Sequence, residues 1–410
     1  MYDIVLIETP MPALESPKMY FGLGNLYLSA MLEKHGVNVY LADCREGAQD
    51  LPRAKFYGFS CATPQITFAK QLAKQVNGTT ILGGAHATLL PEDCREHFDY
   101  VVQGEGEYAL LDIIKGLIPK GIIKTSRITD LDDIPYPDWD AADHVFSDTM
   151  YEGERYGHGQ LSMAMITSRG CPFKCHFCGN MLNAPVTFRS VGNIMGEIYE
   201  LNKRKVNHFR FVDDNFTLHP HFEQLCREMS TFGISYRCHT RSDLMKTKIA
   251  GLLKMSGCEE CSVGVESADD IVLIKNNKKE SAKDHTRAIE IMKHEGLKTK
   301  VYLMSGLPGE TDRTIELTKQ FMKTTKPDKW TLSTFSPYPG CEIFNHPEKF
   351  GVEIINPKWE NWWNFVYNVR DLELPYREGY VHKLHGQTVE QMAQRHTDFY
   401  NWLIDERNWK

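Results

Sequence analysis

Apolar and polar positions alternate in short blocks along the first 120 residues. Short β-branched segments such as Ile4–Glu8 predict strands, and Leu26–His35 has the apolar spacing of a helix that stops at Gly36. Strands that alternate with helices in this way predict an α/β domain built on a doubly wound parallel sheet. The other predicted strands are Val37–Leu41, Phe56–Ser60, Thr80–Leu82 and Tyr100–Val102, and the second helix is Pro64–Val76.

The loops that follow these strands carry small and polar residues. Ligands of doubly wound sheets bind beyond the carboxyl ends of the strands, so these loops are candidate ligand contacts. Glycine there lets the backbone approach a bulky ligand, although glycines after strands are common in any α/β domain. His86, the histidine among these candidates, has a second and equally weighted interpretation: it is a loop histidine whose ring nitrogens bond within the protein. The candidate residues are Ser60, Thr63, Gly83, Gly84, His86, Gly104 and Glu105.

The alternation stops after residue 120 and resumes near residue 161. The proline-rich, polar stretch Leu131–Trp139 predicts a linker over residues 121–160. Six further βα units predict a partial (β/α)6 barrel over residues 161–341, with functional residues at the C-terminal ends of its strands. Residues 342–410 are aromatic and predict a short helical cap. The predicted barrel strands are Met163–Ser168, His208–Val212, Ser235–His239, Cys261–Val265, Lys298–Met304 and Trp330–Phe335.

Three cysteines, Cys171, Cys175 and Cys178, lie in one tight loop after the first predicted barrel strand. Three thiolates can hold three irons of a [4Fe–4S] cluster and leave the fourth iron open for a substrate. Zinc is the main alternative, but structural zinc usually has four ligands, and His176 would strain the loop as the fourth. A disulfide does not fit an odd number of cysteines in a chain of intracellular type.

The cysteine loop, with Phe177 just before its last cysteine, resembles the radical S-adenosylmethionine (radical SAM) signature. The glycine loops at Gly22–Gly24, Gly83–His86 and Gly104–Glu107 resemble the cobalamin-binding domain that precedes many radical SAM domains. This second resemblance implies a Rossmann-like, flavodoxin-like fold for residues 1–120. The Asp-x-His-x-x-Gly motif that supplies a histidine to cobalt in other cobalamin proteins is absent, as is usual in the radical SAM branch.

The radical SAM resemblance implies SAM contacts at the strand ends. Asp213 and Asp214 would face the methionine amino group, although aspartate is also favoured at helix N-caps and turns. Arg241 would face the SAM carboxylate through a two-point contact or, equally, form a solvent-facing salt bridge.

The resemblance also places the nucleoside half of SAM. Glu266, followed by Ser267, would accept hydrogen bonds from the ribose hydroxyls. Gly306 would permit close passage around the adenine, and Leu307 would supply apolar cover. Glu310 has a plainer interpretation as a cap of the next helix.

Other candidate groups carry more than one interpretation. Cys258 and Cys261 have metal-like spacing, but free core cysteines are the better interpretation, as for the remaining cysteines outside the loop. The aromatic residues of the C-terminal segment would line a substrate pocket. The alternative, which is favoured for each residue taken singly, is that they form the core of a small helical cap. Those aromatic residues are Trp359, Trp362, Trp363, Tyr367, Trp402 and Trp409, and the candidate proton-transfer groups are Tyr376, Tyr380, His382, His385 and His396.

Composition excludes some classes of function. A net charge of −7 and a pI near 6.2 do not indicate a basic surface, so nucleic acid is not an expected partner. No apolar run reaches the roughly 18 residues of a membrane span, and the 11 cysteines form no secreted pattern. We therefore expect a cytoplasmic protein, where free thiols and an oxygen-sensitive cluster are stable.

Together the resemblances imply a cobalamin-dependent radical SAM methyltransferase. Its cofactors would be a [4Fe–4S] cluster, SAM and cobalamin, and it would methylate an unactivated carbon of a small molecule or peptide through a 5′-deoxyadenosyl radical. A reductant such as flavodoxin or ferredoxin would be its partner. The alternatives are a radical SAM enzyme for cyclisation, rearrangement or oxidation, and a non-catalytic iron–sulfur electron carrier.

Overall fold

The protein forms two compact units. The structure, a computed structural model, describes residues 1–12, 21–145, 162–179, 185–362 and 380–410. The N-terminal unit consists of Met1–Ser162, Thr187–Asn193 and Lys358–Glu360. The C-terminal unit consists of Met163–Val186, Ile194–Pro357 and Asn361–Lys410. None of the described helices is long and apolar enough to cross a membrane.

The N-terminal unit contains a six-stranded parallel sheet in the order β2-β1-β3-β4-β5-β6. The chain order reverses between β1 and β3, which is the switch point where flavodoxin-like sheets bind their ligands. The strands are β1 (Tyr2–Glu8), β2 (Val39–Asp43), β3 (Ala54–Ser60), β4 (Thr79–Gly83), β5 (Tyr100–Gln103) and β6 (Gly121–Lys124). The helices are α1 (Leu23–Lys34), α2 (Ile66–Ala73), α3 (Ala85–Leu89), α4 (Pro91–Cys94), α5 (Glu107–Ile114) and α6 (Trp139–Val145).

The sixth strand of this sheet lies beyond the boundary predicted at residue 120. Strand β6 pairs with β5 from Gly121 to Lys124, inside the predicted linker. Its pattern is only two isoleucines between a glycine and a lysine, and none of its residues is fully buried. So short an edge strand gives no recognisable period.

The C-terminal unit contains a second six-stranded sheet in the order β14-β13-β12-β11-β10-β7. The neighbouring strands from β10 to β14 pair in parallel, as expected for a partial (β/α)6 barrel. Its strands are β7 (Ser162–Met165), β10 (His208–Phe211), β11 (Ser235–Thr240), β12 (Cys258–Glu266), β13 (Lys298–Ser305) and β14 (Lys329–Thr334). Two short strands, β8 (Ser168–Arg169) and β9 (Thr187–Phe188), lie between β7 and β10 in the chain.

Helices separate the barrel strands. Thr311 caps the helix after β13, so Glu310 is not its N-cap as interpreted from the sequence. The strand β12 begins at Cys258, earlier than predicted, and Cys258 and Cys261 are buried free thiols, which confirms the core interpretation. The helices are α7 (Val191–Lys203), α8 (Phe222–Met229), α9 (Thr247–Met255), α10 (Asp270–Lys275), α11 (Ala282–His294) and α12 (Asp312–Thr325).

The C-terminal segment packs as a small cap. Its elements are α13 (Glu342–Asn345), α14 (Pro347–Phe350), β15 (Val352–Ile354), β16 (His382–Leu384) and α15 (Val389–Ile404), with β15 and β16 antiparallel. Trp362 and Trp409 are buried, and each indole N–H donates to a backbone carbonyl. These two tryptophans therefore belong to the core. Trp363, Tyr367 and Tyr376 lie outside the described residues.

Candidate active site

The cysteine loop follows β7 and turns at Gly170, whose φ is +95°. Cys171 and Cys175 are half-buried, and Cys178 is exposed. Two backbone bonds fix the loop: Cys178 N donates to Cys175 O at 3.1 Å, and His176 N donates to Asn276 O at 2.9 Å. The three thiols are therefore presented by a loop that the rest of the unit holds in place.

The spacing of these thiols fits a cluster better than a single zinc ion. Among the described residues, the only three potential ligands within 4.8 Å of one another are His86, Asp93 and Cys94. The three loop thiols therefore do not all lie within 4.8 Å of one another, whereas tetrahedral zinc with bonds of about 2.3 Å needs its ligand atoms roughly 4 Å apart. His176 points elsewhere, because its Nδ1 lies 3.3 Å from Lys275 O and its ring packs against Phe350.

Polar groups of the unit reach two of the thiols. Asn215 Nδ2 donates to Cys171 Sγ at 3.3 Å, and Arg241 Nη1 lies 3.8 Å from Cys175 Sγ. Burial raises the pKa of Cys175, while the charges of Lys278 and Arg241 lower it. Burial likewise raises the pKa of Cys171. The cations oppose the cost of burial and favour the thiolate form that metal ligation needs.

A buried network of charges lies beside the loop. Arg241 Nη2 is 3.3 Å from Glu280 Oε2, and Lys278 Nζ is 3.3 Å from both Glu280 and Glu266. The guanidinium of Arg241 also covers the ring of Phe173 at 3.9 Å and bonds Asp243. Arg241 therefore forms the salt bridge of the alternative interpretation, although its side chain is buried and does not face solvent.

Lys278 and Glu280 were not predicted from the sequence, because they follow a helix and do not lie at the end of a strand. They lie in a short loop in which Asn277 and Lys279 have positive φ values of 51° and 56°. Such backbone angles are uncommon outside glycine and mark a loop that the surrounding structure constrains. The charged run gave no signal of burial, because charged runs are usually solvated.

Glu266 occupies an unusual backbone position at the end of β12. Its φ is +62°, and the pairing of β12 with β13 shifts between Gly264 and Glu266. A side chain at Gly264 would collide with this arrangement, since its Cβ would lie 2.5 Å from Glu266 Oε1 and 3.0 Å from Lys278 Nζ. The bulge aims Glu266 at Lys278, while Ser267 is buried and its hydroxyl accepts from Asp269 N.

The two aspartates after β10 differ in environment. Asp213 is buried, and its carboxylate accepts bonds from the Thr167 hydroxyl at 2.7 Å and the Ser168 hydroxyl at 2.6 Å. Burial raises the pKa of Asp213, and these hydrogen bonds oppose the rise. Asp214 is exposed, and its charge acts on Cys171. Asp213 thus orients the segment that leads into the cysteine loop, and Asp214 is the more accessible of the pair.

The loop after β13 is built from buried groups. Gly306 has φ +83°, donates its N–H to Glu310 Oε2 at 2.8 Å and accepts from His382 Nε2 at 3.0 Å. Leu307 is buried in a cluster that includes Phe177. Burial lowers the pKa of His382 to about 4, so the ring is neutral at pH 7 and supports the loop.

His396 has a similar environment beneath the same loop. Its Nδ1 bonds the hydroxyl of Ser305, and burial lowers its pKa to about 3. Neither His382 nor His396 is exposed, whereas His385 is. The buried pair therefore packs beneath the loop, and His385 is the most accessible of the three histidines.

The glycines at the carboxyl ends of the strands in the N-terminal sheet lie in different environments. A Cβ at Gly83 would meet nothing nearer than 4.0 Å, so the backbone there is open to a ligand. A Cβ at Gly84 would lie 2.7 Å from Cys61 N, and one at Gly104 would collide with Thr125 Oγ1. Gly84 and Gly104, both at positive φ, are required by close packing within the unit.

His86 is completely buried and both its ring nitrogens have partners. Nδ1 lies 3.3 Å from Thr63 Oγ1, and Nε2 lies 3.0 Å from Asp93 Oδ2. The ring is therefore satisfied, as in the alternative interpretation, although His86 lies in the first turn of α3 and not in a loop. A metal ion among His86, Asp93 and Cys94 is disfavoured, because Lys70 already binds Asp93 at 2.6 Å and burial raises the pKa of Cys94 to about 12.

Ser60 and Glu105 complete the predicted set. Ser60 ends β3 at the switch point and is half-buried. Glu105 is buried, accepts from Ile128 N at 2.6 Å and pairs with Arg127 at 3.1 Å. The carboxylate of Glu105 thus holds the chain after β6, which leaves Ser60 and Gly83 as the better exposed candidates for a ligand.

Two family profiles match the chain. Residues 14–114 match the B12 binding domain, and residues 165–322 match the Radical SAM superfamily. The first match spans β2 to β5 of the N-terminal sheet, and the second spans β10 to β13 of the barrel. The cysteine loop lies in the second match.

The chain is also similar to characterised proteins. It is 28% identical over 327 residues to the anaerobic magnesium-protoporphyrin IX monomethyl ester cyclase of Rubrivivax gelatinosus, covering 70% of this chain and 57% of that protein. It is 25% identical over 363 residues to the bacteriochlorophyllide d C-12(1)-methyltransferase of Chlorobaculum tepidum, covering 84% and 76%. The chain therefore spans little more than half of the first relative.

A solved structure shares the fold. The radical S-adenosylmethionine methyltransferase TsrM from Kitasatospora setae superposes with a TM-score of 0.65 at 15% identity, covering 86% of this chain and 78% of that one. At this identity the similarity supports the α/β architecture of a parallel sheet followed by a partial barrel.

Proposed function

Because this chain is a radical SAM protein with a B12-binding domain, we propose that it is a cobalamin-dependent radical SAM methyltransferase. The acceptor would be an unactivated carbon of a small molecule or peptide. The observation that carries the proposal is the presence of both domains in one chain together with the loop of Cys171, Cys175 and Cys178. A radical SAM domain alone would not require the first domain.

The residues at the barrel mouth fit an iron–sulfur cluster and SAM. Cys171, Cys175 and Cys178 would hold the cluster, and Asn215 and Arg241 would keep two of the thiolates charged and oriented. The open backbone at Gly83 and the switch point at Ser60 fit a flat ligand such as a corrin in the N-terminal unit. When bound, these groups supply reductive cleavage of SAM and a transferable methyl group.

The chain's own side chains would position SAM. Asp214 is placed near Cys171 to attract the ammonium of the methionine moiety. Glu266 would accept from the ribose hydroxyls while Lys278 holds its carboxylate at 3.3 Å. Gly306 and Leu307 would pass beside the adenine, with Asp213 acting as a positioning group for the cysteine loop.

A second candidate function keeps the radical chemistry without methyl transfer. It is favoured by the 28% identity to a magnesium-protoporphyrin IX monomethyl ester cyclase. The methyltransferase is preferred because the relative that covers more of this chain, at 84%, is a methyltransferase. A non-catalytic electron carrier would not need the polar residues at the strand ends. Flavodoxin or ferredoxin stays our predicted electron donor.

The test is an anaerobic reconstitution with iron, sulfide and hydroxocobalamin, followed by desalting. Retained corrinoid absorption beside an iron–sulfur shoulder is the expected result. The loaded protein is then incubated with SAM, a strong reductant and a metabolite extract. We expect 5′-deoxyadenosine, S-adenosylhomocysteine and a product heavier by one methyl group.

Each alternative gives a different result in that experiment. Formation of 5′-deoxyadenosine without any methylated product would favour cyclisation, rearrangement or oxidation. Failure to cleave SAM with a complete cluster would favour the electron carrier. A cluster without retained corrinoid would make the first domain a scaffold and would contradict the methyltransferase.

A further inference from the structure

The strands of the barrel sheet offer little surface to another protein. Along β13, Val301 and Leu303 are completely buried on one face of the sheet. Lys300 and Tyr302 alternate with them and are half-buried on the other face. Apart from the first residues of β13 and β14, no residue of the six described strands is exposed. A partner protein must therefore dock on the loops and helices around the sheet.

One short helix beside the cysteine loop presents apolar side chains to solvent. Ile271 and Ile274 of α10 are 64% and 75% exposed, the two highest values among the large apolar side chains described in the C-terminal unit. They are three residues apart and therefore lie on the same side of the helix. Single exposed apolar residues are common on protein surfaces, but two adjoining isoleucines offer a partner apolar area at one place.

The end of this helix is bonded to the cysteine loop. His176 N donates to Asn276 O at 2.9 Å, and His176 Nδ1 lies 3.3 Å from Lys275 O. Asn277 Nδ2 donates to Lys174 O at 2.6 Å. His176 lies between the second and third cysteines of the loop. A protein docked on α10 would therefore lie directly against the segment that supplies the predicted cluster ligands.

Positive charge surrounds the two isoleucines. Lys174, Lys275 and Lys279 are exposed and form no salt bridge with the described residues, whereas Lys278 is buried and paired with two glutamates. Asp270, the carboxylate of the same helix, already accepts a bond from the first backbone N–H of α11 at 2.8 Å. The excess is local, because the whole chain has a net charge of −7. We call the following residues the docking patch: Lys174, Ile271, Ile274, Lys275 and Lys279.

The excess of lysines is confined to one side of the cysteine loop. On the other side of His176 lie α13 and α14, whose exposed charges are Glu342, Glu348 and Lys349. An apolar centre with a charged rim is the usual arrangement of a protein interface. A partner with an acidic surface would be attracted to the α10 side and repelled by most of the remaining surface.

We propose that the docking patch binds a small acidic protein that carries one electron, and that electrons enter a cluster held by Cys171, Cys175 and Cys178 from this side. In the transfer the carrier loses one electron and the cluster gains it, and no covalent bond forms or breaks. The assignment rests on the proposed function for the statement that the loop holds a redox cluster. It names the surface on which flavodoxin or ferredoxin docks.

The test is a calorimetric titration of the anaerobically reconstituted protein with an acidic flavodoxin and, separately, with an acidic ferredoxin. We expect saturable binding that weakens as salt is added, because salt screens exposed charges. Ile274→Ser removes an apolar anchor, and the double variant Lys275→Glu with Lys279→Glu introduces like-charge repulsion. Each should weaken binding about tenfold or more, and the double variant should lose most of the salt dependence.

Matched controls separate docking from general effects. Ile404→Ser, at another exposed isoleucine, and the double variant Lys74→Glu with Lys115→Glu, at exposed positions of the N-terminal unit, should bind as the parent does. Iron analysis after desalting shows that each variant holds its cluster. With dithionite in place of a protein carrier, all variants should cleave SAM at the rate of the parent, since a small reductant needs no docking surface.

The outcomes are distinct. No saturable binding of either carrier, or unchanged binding in Ile274→Ser and in the Lys275→Glu, Lys279→Glu variant, would overturn the proposal. Self-association of the parent that Ile274→Ser abolishes would also overturn it, by assigning the patch to a second copy of this chain. Failure of the parent to cleave SAM with dithionite would instead count against the proposed function, with carrier binding intact.

Discussion

Each buried charge at the barrel mouth is stabilised by the opposite charges nearest to it. Glu280 is completely buried as a side chain, and its two nearest cations are Lys278 and Arg241, each at 3.3 Å. Burial raises the pKa of Glu280, and these cations oppose the rise. A charge in this position is tolerated only while the opposite charges remain.

Lys278→Met is therefore expected to destabilise the protein by about 3–5 kcal/mol, because it leaves Glu266 and Glu280 short of a buried partner. The free energy of unfolding from urea titration of the anaerobic protein measures the effect. Lys279→Met, at the exposed neighbouring position, is the control and should change stability little. Equal stabilities of the two variants would contradict the role given to Lys278.

Glu310 predicts a dependence of stability on pH. Burial raises its pKa from 4.5 to about 7, despite bonds from Gly306 and the charge of Arg395. The folded state therefore holds the proton more tightly, and the contribution of Glu310 to stability falls as the pH rises from about 4.5 to about 7. The loss is on the order of 3 kcal/mol and stays constant above that range.

Glu310→Gln tests this expectation. The amide is neutral at every pH, so the difference in stability between variant and parent should move in favour of the variant between pH 5 and pH 8. Urea unfolding at both pH values measures it, and Glu316→Gln on the exposed face of α12 is the control. A difference that does not change with pH would show that Glu310 is ionised throughout.

At the scale of elements, the bulge of β12 connects sequence to site geometry. Gly264 leaves room for Glu266 Oε1, and the register shift between Gly264 and Glu266 turns that side chain toward Lys278. A side chain at residue 264 would displace the ends of the Glu266 and Lys278 side chains from this arrangement. A bulge beside a site re-aims side chains in this manner.

Gly264→Ala is expected to displace the pair of Glu266 and Lys278 and to cost about 1–3 kcal/mol of stability, as an overpacking substitution does. SAM affinity, measured on the reconstituted protein, should fall with it. Gly251→Ala in α9 is the matched control, since its Cβ would meet nothing nearer than 3.6 Å. Helix propensity should make that control slightly more stable. Full SAM affinity in Gly264→Ala would argue against Glu266 as a SAM contact.

Elements were predictable where a hydrophobic period covers several residues. The strands β10 to β14 lie where the sequence predicts them because each alternates or is continuously apolar. The predicted strand Met163–Ser168 ends earlier, at Met165, since Thr167 and Ser168 instead bond the carboxylate of Asp213. Lys278 and Glu280 were missed because their burial comes from packing between elements, which no local pattern records.

At the scale of the whole molecule, the cysteine loop and the B12-binding domain belong to separate compact units. Each unit has its own six-stranded sheet. The residues proposed for the cluster and those proposed for the corrinoid therefore belong to different units.

A variant with Ala at Cys171, Cys175 and Cys178 is expected to lose its iron and keep its corrinoid. Iron analysis and absorption after desalting measure both cofactors in one sample. Cys226→Ala, which removes a buried thiol outside the loop, is the control and should retain iron. Loss of corrinoid from the triple variant would mean that the corrinoid site needs the cysteine loop.

The two-faced barrel sheet has a consequence for how such a protein can evolve. Residues such as Val301 and Leu303 hold the sheet to its helices, while Lys300 and Tyr302 alternate with them on the other side. Because neighbours along a strand serve opposite faces, a substitution on the inner side leaves the helix packing intact. Under the proposed function, a lineage can therefore exchange one acceptor molecule for another by point mutation while the scaffold and the cysteine loop are inherited unchanged.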